Sequence, residues 1–184
     1  MIDAQLTVFS LNTLSEQKTE TEIIALNQKT EQYGLTLTPQ DAKALIRTRS
    51  EELSANGRVE VGSETITKIM EAFCDSSFID QRNYVETMQE LLRIFYYAKN
   101  DTQDRISDSE LIAYMKDSFE NRCMGSLELL RGRELEKLAE RLGCRGENSY
   151  GGRGHANRHD GDCEDGESEE ETWYTYERDD WYDQ

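Results

Sequence analysis

The sequence predicts an all-α fold: a compact bundle of about six short helices, with at most one short strand pair and a disordered C-terminal tail. Three observations lead there. Residues 13–143 are dominated by Leu, Ile, Ala, Glu, Lys and Arg, and the whole chain holds four valines and one proline, a mixture that favours helix over strand. Apolar residues recur at helical spacing through that stretch. From Arg145 the composition turns abruptly to Gly, Asn, Asp, Glu and Arg, which is too polar to build a core.

The elements follow in order. Ser15 is expected to cap a first helix reaching about Tyr33, with Ile23, Leu26, Thr30 and Tyr33 on one face and Gly34 as its stop. Thr38-Pro39-Gln40-Asp41 is a strong start for the second: Thr38 can cap, Pro39 suits the first helical position, and Asp41 meets the positive helix end. Ala42, Leu45, Ile46 and Leu53 form its stripe, and Asn56-Gly57 ends it. Arg58-Val59-Glu60-Val61-Gly62 alternates between glycines, so it either pairs with a segment such as Leu6–Phe9 or is a loop. Ser63 opens a third helix carrying Ile66, Ile69, Met70, Phe73 and Cys74.

After the turn Asp75-Ser76-Ser77, a fourth helix is expected over about residues 81–98, with Tyr84, Met88, Leu91, Leu92, Phe95 and Tyr96 as the strongest stripe of the chain. Ser107-Asp108-Ser109-Glu110 is a capping box, followed by Leu111, Ile112, Met115 and Phe119. Gly125-Ser126 breaks and recaps the chain. Leu127, Leu130, Leu135, Leu138 and Leu142 make the last stripe, with Gly132 as a point of interruption. This divides the chain into a helical domain, 1–144, and a Gly-rich, acidic, aromatic-containing tail, 145–184.

Apolar residues are 36% of the 184-residue chain, yet residues 145–184 contribute only 8 of them, so the first 144 residues are rich enough for a core. The formal charge is −17, and the tail alone holds 13 acidic and 4 basic residues. Such a chain repels phosphate backbones and anionic lipid, which argues against nucleic acid and membrane and towards a basic protein surface. No stretch approaches the roughly 18 apolar residues of a membrane span, and the opening MIDAQLTVFSLN lacks the basic flank of a secretory signal. Cys74, Cys123, Cys144 and Cys163 are scattered without a CxxC pair, as expected of reduced thiols in a cytoplasmic protein.

Several motifs suggest chemistry. The stretch Lys99–Leu111 reads like the close of an EF-hand loop, with Ile106 at the eighth position and Glu110 at the twelfth, and with Asp101 and Gln103 as further oxygen donors. Lys99, however, stands where calcium needs a carboxylate, and Asp104 where the sharp turn needs glycine. A helix–loop–helix turn with a capping box is the stronger reading. Both histidines, His155 and His159, lie in the tail, so the helical part has no histidine base for a nucleophile and no histidine for zinc catalysis. Cys74 then reads as a buried small residue rather than a reactive thiol. His155, His159 and Cys163 recur every four residues and are weak metal candidates in a flexible stretch. With 38 acidic residues, any proposed catalytic carboxylate pair would be arbitrary. No phosphate-binding glycine loop is present, and no cofactor is expected.

The tail holds the most distinctive pattern. Trp173, Tyr174, Tyr176, Trp181 and Tyr182 sit among Glu169, Glu170, Glu171, Glu177, Asp179, Asp180 and Asp183. Rings supply anchoring area while carboxylates steer towards a basic partner, so these five aromatics are the partner-binding candidates; the alternatives are a tail that folds back onto its own domain and one that only solvates the chain. The segments Gly57–Gly62, Ala72–Ile79, Phe95–Asn100 and Gly125–Leu130 resemble an uncharacterised bacterial family of small helical proteins, a domain of unknown function, over about residues 20–142. That resemblance implies a bacterial cytoplasmic setting and no particular activity, cofactor or site. The functional expectation is therefore a non-enzymatic adaptor or regulatory protein. A divalent-cation binder or sensor is the alternative, and a carboxylate-based enzyme the third reading.

Overall fold

A computed structural model describes residues 16–60 and 62–143, which form six helices when interrupted ones are counted whole, with no strand among the described residues. The all-α expectation holds. The first helix, α1, covers 16–25 and turns at Leu26 before α2 (Asn27–Thr30) and a 3-10 turn, Glu31–Tyr33, that ends at Gly34 with φ 75°. Ile23, Leu26 and Thr30 are buried as expected, but Tyr33 is 48% exposed. The change to three residues per turn carries Tyr33 off the stripe set by 3.6-residue periodicity.

The link from Gly34 to Thr38 solves a problem that periodicity does not show. Leu35 and Leu37 are buried, so this extended segment needs partners for its amides although no strand lies beside it. Two side-chain amides supply them. Asn27 accepts from the Leu37 N–H and donates to the Leu37 carbonyl, both at 2.8 Å, and Gln81 does the same for Thr36 at 2.7 and 2.9 Å. The capping box then starts α3 (Pro39–Ala55), with Thr38 and Asp41 bonded reciprocally.

Residues 58–60 form a loop rather than a strand; Val61 and Leu6–Phe9 lie outside the described residues. Side chains hold this loop instead of a ladder. Arg49 donates to the Gly62 carbonyl, and the Glu60 carboxylate accepts from the Tyr96 hydroxyl at 2.7 Å and from Thr65 at 3.0 Å. In α4 (Glu64–Phe73) the expected stripe is buried, but the Ser63 hydroxyl donates to Glu22 and makes no cap bond. The central α5 (Tyr84–Asp101) starts three residues later than 81, because Asp80 and Asn83 close a tight turn first. Its predicted stripe is fully buried, and α3 is its main packing partner.

Beyond α6 (Asp108–Asp117) the chain widens into a π-helical turn, Ser118–Arg122. After Ser126 caps the short α7 (Leu127–Leu129), a second π turn, Leu130–Glu134, spans Gly132 and leads into α8 (Leu135–Arg141). The interruption expected at Gly132 is thus a widened turn within one continuous helix. Phe119 forms edge contacts with Phe73 and Phe78 at centroid distances of 5.6 and 5.9 Å, joining α4, the loop after it and the first π turn.

Gly125 sits against this cluster. It has φ 81°, and an added Cβ would fall 2.6 Å from Phe78 Cγ. Gly125→Ala is therefore expected to cost about 3 kcal/mol in chemical denaturation, combining left-handed strain with overpacking. Gly57→Ala, at φ 62° with open space around it, is expected to cost only about 1 kcal/mol.

Candidate functional site

The turn between α5 and α6 carries one of the two weak metal candidates of the sequence, and its geometry turns on one lysine. Lys99 lies in the last turn of α5, with its side chain 9% exposed. The ammonium reaches forward across the turn to the Ile106 carbonyl at 2.9 Å, Asp104 Oδ1 at 3.1 Å and Asp108 Oδ1 at 2.8 Å. Three acceptors match the three protons of an ammonium. Gln103 and Asp104 make the reversal in the left-handed region, at φ 51° and 57°, without glycine. The Asp104 carboxylate is also gripped by both Arg58 Nη atoms at 2.9 and 2.6 Å, so the turn is tied to the loop after α3.

The charges respond accordingly. Hydrogen bonds from Arg58 and then Lys99, against some burial, hold the Asp104 carboxyl below its ordinary value. Burial opposes charge on Lys99, but the bonds to Asp108 and Asp104 outweigh it and raise the ammonium above its ordinary value. A cation is built into this turn covalently.

The sequence-derived donors sit around this arrangement rather than in it. Asp101 is the last residue of α5, half-buried, and Gln103 is exposed. Glu110 is engaged by the capping box, accepting from the Ser107 N–H at 3.1 Å and the Ser107 hydroxyl at 2.5 Å, which lowers its pKa. Among the described residues, no group of three His, Cys, Asp or Glu is placed to hold a metal ion. The two acids that do converge, Asp104 and Asp108, meet on Lys99. His155, His159, Cys163, Trp173, Tyr174, Tyr176, Trp181 and Tyr182 lie outside the described residues. Cys74 and Cys123 are buried, and burial raises both thiols, which suits packing rather than nucleophilic chemistry.

A second charged cluster was missed by motif reading. Glu134, at the end of the second π turn, has a side chain only 4% exposed and collects Arg133 at 2.9 Å, Arg122 at 3.3 Å and Lys137 at 3.4 Å. Burial pushes its carboxyl up, but bonds from Arg133, Arg122 and Lys137 bring it below the ordinary value. Its sequence signal is Arg133, Lys137 and Arg141 every four residues, a basic stripe along a helix.

Replacing Lys99 by Met should destabilise the protein by about 1 kcal/mol, because the half-exposed Asp108 and the Ile106 carbonyl lose the ammonium they share while Asp104 keeps Arg58. The pH dependence has two limbs. The Asp104 contribution is present above its ordinary 3.8 and lost as pH falls through its lowered value in the fold. The Lys99 contribution is present below its ordinary 10.5 and lost as pH rises through its raised value. Stability measured against pH should show both limbs in the parent protein, with the alkaline limb reduced in Lys99→Met.

No curated protein and no solved structure matches the chain significantly. A family described as a family of unknown function, DUF6323, matches residues 22–148, a span that runs from α1 past the end of α8 and includes both charged clusters. The chain belongs to this family.

Proposed function

We propose that the chain is a non-enzymatic adaptor or regulatory protein of the cytoplasm: the helical core is a rigid scaffold, and Trp173, Tyr174, Tyr176, Trp181 and Tyr182 dock on a basic protein surface. The observation that favours this over cation sensing is the Lys99 ammonium seated among Asp104, Asp108 and the Ile106 carbonyl. A cation sensor changes shape because its carboxylates repel one another until the ion arrives. Here a side chain supplies the neutralising charge at all times, so the α5–α6 hairpin has no need of an ion. The partner chemistry comes from the acidic, aromatic composition of the tail. No described helix is long and apolar enough to cross a membrane.

Both tryptophans of the chain, Trp173 and Trp181, belong to the proposed contact, so their emission reports it directly. Titrating the full chain with polylysine, which has no aromatic rings, is expected to shift or quench that emission, and calcium is expected to leave it unchanged. Emission that ignores polylysine but responds to calcium would reverse the order of the two readings.

A further inference from the structure

A shallow cavity of about 630 Å³ opens where the two π turns meet α6 and α8, and among the described residues four cations and two carboxylates line it. On a chain of charge −17 this is a local inversion of sign. Tyr114 stands at its centre. Arg122 and Arg141 lie over the ring at 5.6 and 5.5 Å from its centroid. The hydroxyl accepts from Arg141 at 3.0 Å and donates to the Glu134 carbonyl at 3.1 Å. The Glu134 carboxylate beneath fixes Arg122, Arg133 and Lys137.

The cations are thus held in place before any ligand arrives, which lowers the ordering cost of binding. Among the described residues, Lys137 and Arg141 engage only part of their donor capacity. Lys137 contributes one contact to Glu134, at 3.4 Å, from an ammonium that carries three protons. Arg141 contributes one bond to Tyr114 from a guanidinium with five N–H groups. Both π turns supply lining residues, Arg122 from the first and Arg133 and Glu134 from the second. Widened turns of this kind commonly aim side chains at a functional surface.

From this we infer that the groove is a binding site for an acidic peptide segment of a partner, whose carboxylates pair with Arg133, Lys137 and Arg141. Two features select spread carboxylates over a single phosphoryl dianion. The excess of positive charge is small, and Glu134 and Glu140 would repel two negative charges concentrated at one point. At about 630 Å³ the cavity also holds far more than one tetrahedral anion, room enough for a peptide segment. The geometry already shows the pairing it would use, since a carboxylate is what Arg122, Arg133 and Lys137 hold at the floor. Its residues are other than the tail aromatics proposed above, and its charge preference is the opposite of theirs.

The test is fluorescence anisotropy of a labelled hexaglutamate peptide with the full chain at about 0.15 M salt, where the Debye length of roughly 8 Å screens the repulsion of the rest of the protein. Hexaglutamate is expected to bind at least tenfold more tightly than hexaglutamine, and Lys137→Gln/Arg141→Gln to lose about tenfold in affinity while keeping its helical circular dichroism. If the double variant unfolds, Arg141→Gln alone is expected to lose several-fold. Equal binding of the two peptides, or undiminished hexaglutamate binding by a folded variant, overturns the site. A phosphoserine peptide binding tenfold better than hexaglutamate overturns the choice of carboxylate.

Discussion

One ammonium group, together with Arg58, ties the end of α5, the start of α6 and the loop after α3, elements whose helices also share the hydrophobic core. Lys99 closes the α5–α6 turn through Asp104, Asp108 and the Ile106 carbonyl, and Asp104 in turn binds Arg58 in the loop after α3. Without it, Asp108 and the Ile106 carbonyl would lose the cation they share, and Asp104 would keep only Arg58. With it, the hairpin that carries the longest helix has a defined exit, and α6 begins where its capping box requires. In this EF-like turn the residue at the first loop position brings its own positive charge to the two carboxylates.

The same principle recurs. Glu134 gathers Arg122, Arg133 and Lys137 at the two π turns, and Glu60 gathers Tyr96 and Thr65 in the loop before α4. Asn27 and Gln81 serve the backbone of Leu37 and Thr36. Each is a polar side chain that satisfies buried or crowded groups where regular secondary structure stops, and each links elements distant in sequence. A chain with this much charge spends a good part of it on internal cross-links between helices.

The regular parts were legible in the sequence because their causes are local. The Thr38 and Ser107 caps were readable because a capping box needs only residues three apart. The stripes of α4 and α5 were readable because 3.6-residue periodicity survives wherever one face is buried. Tyr33 and the start of α5 were misplaced because a 3-10 turn and the Asp80–Asn83 turn change the period over a few residues, which no stripe records. At the candidate site, the mismatch of Lys99 with a calcium loop was visible, but the reach of its ammonium to Asp108 was not, since that depends on where the chain reverses. The pairing of Arg58 with Asp104 joins positions 46 residues apart and lies beyond any local pattern. The basic stripe on α8 was present in plain spacing; only the fold shows that Tyr114 and Arg122 complete it.

That Lys99 is a charged, bonded cation inside its turn is open to direct measurement. It is tested most directly by nuclear magnetic resonance titration of the lysine side chains, following the Cε and Nζ signals of Lys99 against pH in the full chain. Lys99 is expected to titrate above the ordinary lysine value of 10.5, with ammonium protons that exchange more slowly than those of exposed lysines. A Lys99 that titrates at or below that value, with protons exchanging as fast as the rest, would contradict it.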